Sequence, residues 1–212
     1  HLNRPDRAID MLLDAHRARR LDDAGQTQLV DFLQQRGRYA ESVPVLVPLV
    51  QRQPDNLNLR SQLCRAYFRT GRATDLAVAF ADAKRHFWQG ARFNGWTMVT
   101  LGDTAVECKL FDRAVEVYDE LIPLYQRTQP SRGVGDGVLS GFYQNLARAY
   151  TGLGRTLDAL DAAGGAVVSW GQAQRQRGEA LQAVRDVLAA APNLDAVVAE
   201  LDRQTGETGR LN

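Results

Sequence analysis

The sequence predicts an all-α chain built as a stack of antiparallel helix hairpins. Three observations carry that prediction. Apolar residues recur at intervals of three and four through most of the 212 residues. A Gly-Arg pair punctuates successive helical patterns at Gly37-Arg38, Gly71-Arg72 and Gly154-Arg155. Gly37 and Gly71 stand 34 residues apart, so the hairpin is a repeating unit. The best-preserved copy runs from Leu57 to His86. Its first half places Leu59, Leu63, Ala66 and Tyr67 on one face, with Cys64 beside them. Gly71 ends it because glycine takes the left-handed conformation without a Cβ penalty. The second half aligns Leu76, Ala79, Phe80 and Ala83. Neither stripe can be buried alone, and a short turn favours antiparallel packing.

In chain order, Asn3–Arg20 reads as the second helix of a hairpin, with Pro5 in its first turn. Its expected stripe is Ala8, Met11, Leu12 and Ala15, with Ile9 at the edge. Asp22–Gln35 follows, carrying Leu29, Val30, Phe32 and Leu33. Beyond Gly37, Glu41–Arg52 carries Val43, Leu46, Val47, Leu49 and Val50. Pro44 sits where a missing N–H is tolerated, whereas Pro48 is expected to kink the helix or loosen its start. After His86 the phase breaks, with about four extra residues and the aromatics Phe87, Trp88, Phe93 and Trp96. These either fill a wedge between repeats or form a docking patch. The unit then resumes with Leu101-Gly102 and Lys109 at the turn position, followed by Ala114, Tyr118 and Leu121.

A second break of about eleven residues contains Gly133–Gly137. That run is either a flexible insertion or a loop presenting backbone N–H groups to an anion at a helix N-terminus. Tyr143, Leu146, Ala147 and Tyr150 mark the next first helix, and Ala159, Ala163 and Ala166 its partner. Gly164 and Gly165 there allow close helix approach. From Gln172 the unit is degenerate. Ala180, Leu181, Val184, Val187 and Leu188 form a stripe that Pro192 ends. Asn193 is expected to cap a last helix bearing Leu194, Val197, Val198 and Leu201.

These residues resemble the tetratricopeptide repeat (TPR) family: Leu63-Cys64 stands at its Leu-Gly pair, Tyr67 at its Tyr, Phe80 at its Phe and Pro54 at the proline ending a unit. Leu101-Gly102 and the recurring Tyr67/Gly71 and Tyr150/Gly154 spacing extend the match over about residues 1–170. The resemblance implies a right-handed superhelical stack, a TPR-like α-solenoid. It divides 1–212, read as one repeat domain, into a half repeat at 1–20, repeats at 21–56, 57–94, 95–139 and 140–170, and degenerate helices at 171–212. Without an initiator Met the chain reads as a fragment of a larger bacterial TPR-containing protein. It further implies a protein-interaction scaffold holding a partner segment on the concave first helices. The alternative is a regulatory or sensor module of a larger signalling, transcription-regulating or enzymatic protein. Val45–Phe80 also resembles the TPR-like region of bacterial transcriptional activators.

The polar positions of those first helices are the candidate partner-binding residues: Asn58, Ser61, Arg65, Arg69, Asp103, Glu107, Gln144, Asn145 and Arg148. Asp31, Gln34 and Gln35 occupy the same face one unit earlier. The family's carboxylate clamp needs basic and amide groups where this chain has Thr27 and Asp31, then Ser61 and Arg65, so that activity is not expected. A protein or peptide partner is expected, and the truncated N-terminal end offers a face for self-association.

The chemistry that would mark an enzyme is missing from the sequence. His1, His16 and His86 lack metal-ligand spacing, and no nucleophile elbow or phosphate loop is present. We therefore expect no catalysis, no cofactor and no metal. A net charge of +1 makes no bulk case for nucleic acid. No run of 18 apolar residues suggests membrane insertion. Cys64 and Cys108 read as buried free thiols, and the cytoplasm is expected over secretion.

Overall fold

The computed structural model describes residues 4–88, 95–128, 136–170 and 174–191, with 193, 195, 196, 198 and 199. Among these residues all regular structure is α-helical: α1 (Arg4–Arg17), α2 (Asp23–Gln35), α3 (Tyr39–Arg52), α4 (Leu57–Arg69), α5 (Ala73–Phe87), α6 (Gly95–Glu107), α7 (Phe111–Thr128), α8 (Gly137–Gly152), α9 (Thr156–Trp170) and α10 (Gln174–Ala190). The chain forms two compact units, His1–Thr100 and Leu101–Asn212.

In the first unit α2 pairs with α3 and α4 with α5, and α3 packs on α4. The sequence explains the helix starts. Asp22 accepts from Gly25 N and Asn56 from Leu59 N, each satisfying an orphan amide of the first turn. The turns follow one design. Gly37, Gly71 and Gly154 all have φ of 71°, where glycine alone is unstrained. The next amide returns to the helix, as in Arg38 N to Leu33 O at 2.8 Å and Arg72 N to Tyr67 O at 2.9 Å. Lys109 occupies this position at φ 55°. Arg19, with the same φ of 55°, closes α1 in the same manner.

The arginine after each glycine has a further task. Arg72 stacks its guanidinium 4.6 Å from the Tyr67 ring centroid and bonds Asp75 at 2.7 Å. Arg155 repeats this with Tyr150 at 4.6 Å and Asp158 at 2.8 Å. The motif Tyr-x3-Gly-Arg-x2-Asp is thus a local clamp joining the two helices of a hairpin. Burial raises the hydroxyl pKa of both tyrosines.

Several expectations need correction. In α1 the buried residues are Ile9 and Leu13, at 2% and 6% exposure, while Met11 is 68% exposed and Ala8 is exposed. The buried stripe therefore lies about one position round from the expected one. Helix α3 runs unbroken through Pro44 and Pro48 and buries Val45, with Val47 and Val50 half-buried. Among the described residues of the expected α10 stripe, Val187 is buried, Val184 is half-buried and Leu181 and Leu188 are exposed. Asn193 does cap, accepting from Ala196 N at 3.1 Å. Pro5 and Ala180 as side chains, with Pro192, Leu194, Val197 and Leu201, lie outside the described residues.

In the second unit α8 pairs with α9, α7 packs on α8, and α10 packs on both α8 and α9. Three glycines, Gly102, Gly152 and Gly165, have neighbours that leave no room for a Cβ; at Gly152 it would overlap Phe111 Cε2. A Cβ on Gly102 would stand 2.8 Å from Tyr118 Cζ, and one on Gly165 would stand 2.9 Å from the Tyr143 ring. Cys64 and Cys108 are buried free thiols.

Candidate functional site

Helix α4 is buried on most of its circumference, and its polar residues are held inside. Arg60, 7% exposed, donates through Nε to Pro54 O at 2.8 Å and pairs with Asp82. Gln62, 8% exposed, donates to Asp31 Oδ1 at 2.6 Å, and Gln34 donates to Gln62 O at 2.9 Å. Ser61 is 2% exposed. It was expected on the groove surface, and the structure instead buries it in the packed α4. The remaining candidates of this unit stay accessible: Asn58 and Arg69 are exposed and Arg65 is half-buried. Arg69 spreads over the Tyr39 ring at 5.8 Å and the Phe68 ring at 6.0 Å.

The second unit gathers three of its candidates, Asp103, Asn145 and Arg148, into one network. Tyr118 Oη donates to Asp103 Oδ1 at 2.7 Å, and Asn145 Nδ2 donates to Asp103 Oδ1 at 2.8 Å and to Tyr118 Oη at 2.9 Å. Arg148 Nη1 then donates to Asn145 Oδ1 at 3.1 Å. Tyr118 is fully buried. Burial, reinforced by the Asp103 charge, pushes its hydroxyl pKa far above the ordinary phenolic value, so it remains a donor.

The two units share a ladder that is visible only in three dimensions. Asp31 stands six residues before turn Gly37, and Asp103 six before turn residue Lys109. Gln62 stands nine before Gly71, and Asn145 nine before Gly154. In both units the amide of one repeat reaches back to the carboxylate of the repeat before it. Asp103 and Asn145 are therefore partly committed to holding repeats in register.

Beside this network lies a cleft of about 500 Å³ between α6, α8 and α10. Glu107, Gln144 and Arg148 line it, over a floor that includes Val106, Phe111 and Ala147. The structure thus brings three expected residues together and adds Gln182, Asp186 and Val187 from α10, which sequence reasoning missed. Val187 stood in the expected apolar stripe, but nothing in the sequence marked Gln182 or Asp186 as site residues.

The two irregular segments divide differently. Phe87 is buried, Trp88 is half-buried with Lys84 Nζ 4.9 Å from its ring, and Trp96 is 81% exposed; Phe93 lies outside the described residues. Gly133 to 135 also lie outside them. Asp136 caps α8, accepting from Val138 N and Leu139 N at 3.1 Å. The chain's own carboxylate therefore fills the helix N-terminus where an anion was considered. Among the described residues no cluster of three His, Cys, Asp or Glu side chains could hold a metal ion, and no helix is long and apolar enough to cross a membrane.

No family model matches this sequence, and no curated protein matches it. Solved structures do. The kinesin-light-chain-type, nearly identical TPR-like repeats of Podosopora anserina superpose with a TM-score of 0.58 at 17% identity, covering 88% of this chain and 96% of that one. BtubC (BKLC) from P. vanneervenii gives 0.56 at 18% identity, covering 98% and 89%. A double mutant of MamA RS-1 gives 0.51 at 14% identity, covering 86% and 96%.

Proposed function

We propose that this chain, whose fold is that of the TPR-like helical repeats, is a non-catalytic protein-interaction scaffold. The α6–α8–α10 cleft receives a segment of a partner protein. One observation carries this reading: the first helices of successive repeats place Glu107, Gln144 and Arg148 around a single apolar-floored cleft. Such a cleft accepts an apolar side chain, while its amides and charges meet the segment's backbone and flanks. The Tyr118–Asp103–Asn145 network supports it by fixing Arg148 at the rim. Asn58, Arg65 and Arg69, by themselves, offer a separate polar surface on the first unit.

A photo-crosslinking side chain at Gln144 tests this, with one at exposed Ala77 of α5 as the control. Partner protein crosslinked from Gln144 and not from Ala77, and lost with Arg148→Glu, is the expected result. Crosslinks from Ala77 alone would place binding on α5 and overturn the proposal. Self-association through α1 is a second reading, favoured by the 68% exposure of Met11. Light scattering that shows a monomer at all concentrations rules it out.

A further inference from the structure

Helix α9 is apolar on both of its faces. Ala159, Ala162, Ala163 and Ala166 are buried against the unit. The opposite face carries Leu157, Leu160, Gly164 and Val167, all half-buried, and Val168, which is 79% exposed. A helix apolar all round is normally enclosed. Glycine in mid-helix is destabilising, yet among the described residues a Cβ on Gly164 would meet nothing within 4 Å. Adjacent Gly165, by contrast, is filled by the Tyr143 ring. Gly164 leaves a notch between Leu160 and Val168, one helical turn to either side, and such a notch admits the backbone of a crossing helix.

The charge around this face selects among occupants. Asp161 lies on it and is exposed. Asp158 stands one turn earlier in the same helix, bonded to Arg155 at 2.8 Å, and Asp119 of α7 interacts electrostatically with that pair. An isologous contact between two copies would set like carboxylates against each other. An anionic lipid surface would be repelled by the same carboxylates.

We propose that the outer face of α9 docks a cationic amphipathic helix of a partner protein, with apolar side chains over Leu160 and Val168, its backbone at Gly164 and a basic residue at Asp161. This surface is separate from the α6–α8–α10 cleft and stands whether or not the cleft binds.

The probe is an 18-residue helical peptide with leucines at intervals of three and four and lysines elsewhere; a second peptide replaces every lysine with glutamate. Fluorescence anisotropy with the full chain is expected to show saturable binding of the lysine peptide and at least tenfold weaker binding of the glutamate peptide. Gly164→Gln fills the notch without changing charge, and its Cβ meets no described atom within 4 Å. It should weaken the lysine peptide at least tenfold with helicity by circular dichroism unchanged, whereas Arg148→Glu in the cleft should leave binding intact. Absence of saturation, equal binding by Gly164→Gln, or loss with Arg148→Glu overturns the proposal. Sedimentation that shows a dimer abolished by Gly164→Gln would make a second copy the occupant. Binding to phosphatidylserine vesicles abolished by that change would make it a membrane. Either result also overturns the proposal.

Discussion

Replacing Tyr118 with phenylalanine removes one oxygen and leaves the buried ring in place. That oxygen donates to Asp103 at 2.7 Å and accepts from Asn145 at 2.9 Å. A hydrogen bond to a charged acceptor contributes about 1.5–3 kcal/mol net, and a neutral one about 1. Asp103 is exposed, so its carboxylate recovers water when the hydroxyl goes, and Asn145 still bonds it. Both facts pull the loss toward the low end, to about 2 kcal/mol in all. Equilibrium urea unfolding followed by circular dichroism reads this as a lowered midpoint at unchanged slope. Amide exchange should localise the lost protection to α6–α8. A double-mutant cycle with Asp103→Asn should return a coupling of about 1 kcal/mol or more. A loss for Tyr118→Phe below about 0.5 kcal/mol, or a coupling of zero, would refute the idea that this network ties adjacent repeats together.

Lys109→Gly should stabilise the protein by about 1 kcal/mol in the same urea experiment, because glycine relieves the positive φ; Gly71→Ala should cost a similar amount. Gly164→Ala should raise stability by roughly 0.5–1 kcal/mol through helix propensity, whereas Gly165→Ala should lower it because its Cβ meets the Tyr143 ring. Arg38 bonds both oxygens of Glu41, at 2.6 and 2.7 Å, and holds that carboxyl below its ordinary pKa. A depressed carboxylate stabilises the fold above its unfolded pKa, about 4.3, and that contribution is lost as pH falls through the lower folded value. Glu41→Gln should therefore flatten the acid limb of the thermal-stability profile below about pH 4.5; an unchanged limb would show that the pair contributes nothing.

Much of the fold was legible because it is periodic and local. Gly37, Gly71 and Gly154 fall at the ends of apolar stripes, and each takes φ 71°. Lys109 was recognised by phase alone, in a residue type that gives no sign of a turn. The helix starts at Asp22 and Asn56 follow from side chains that accept from the first-turn amides. The site was less legible. Polar residues on a first helix were read as groove surface, which misplaced Ser61 because α4 is packed on nearly every side. Its neighbours Arg60 and Gln62 stay buried only because Asp82, Pro54 and Asp31 reach them from other helices.

The sequence by itself determined which segments are helical, where they turn and how they pair, since those choices rest on propensity, periodicity and capping within a few residues. Only the tertiary structure decided which polar groups face outward and which are spent on one another. Asp103 and Asn145 are 42 residues apart, and nothing local couples them. The two glycines of α9 look alike in the chain, yet Gly165 closes on Tyr143 while no described atom lies within 4 Å of a Cβ on Gly164. That difference arises from one helical step of about 100°, which turns one glycine toward its own unit and the other away from it.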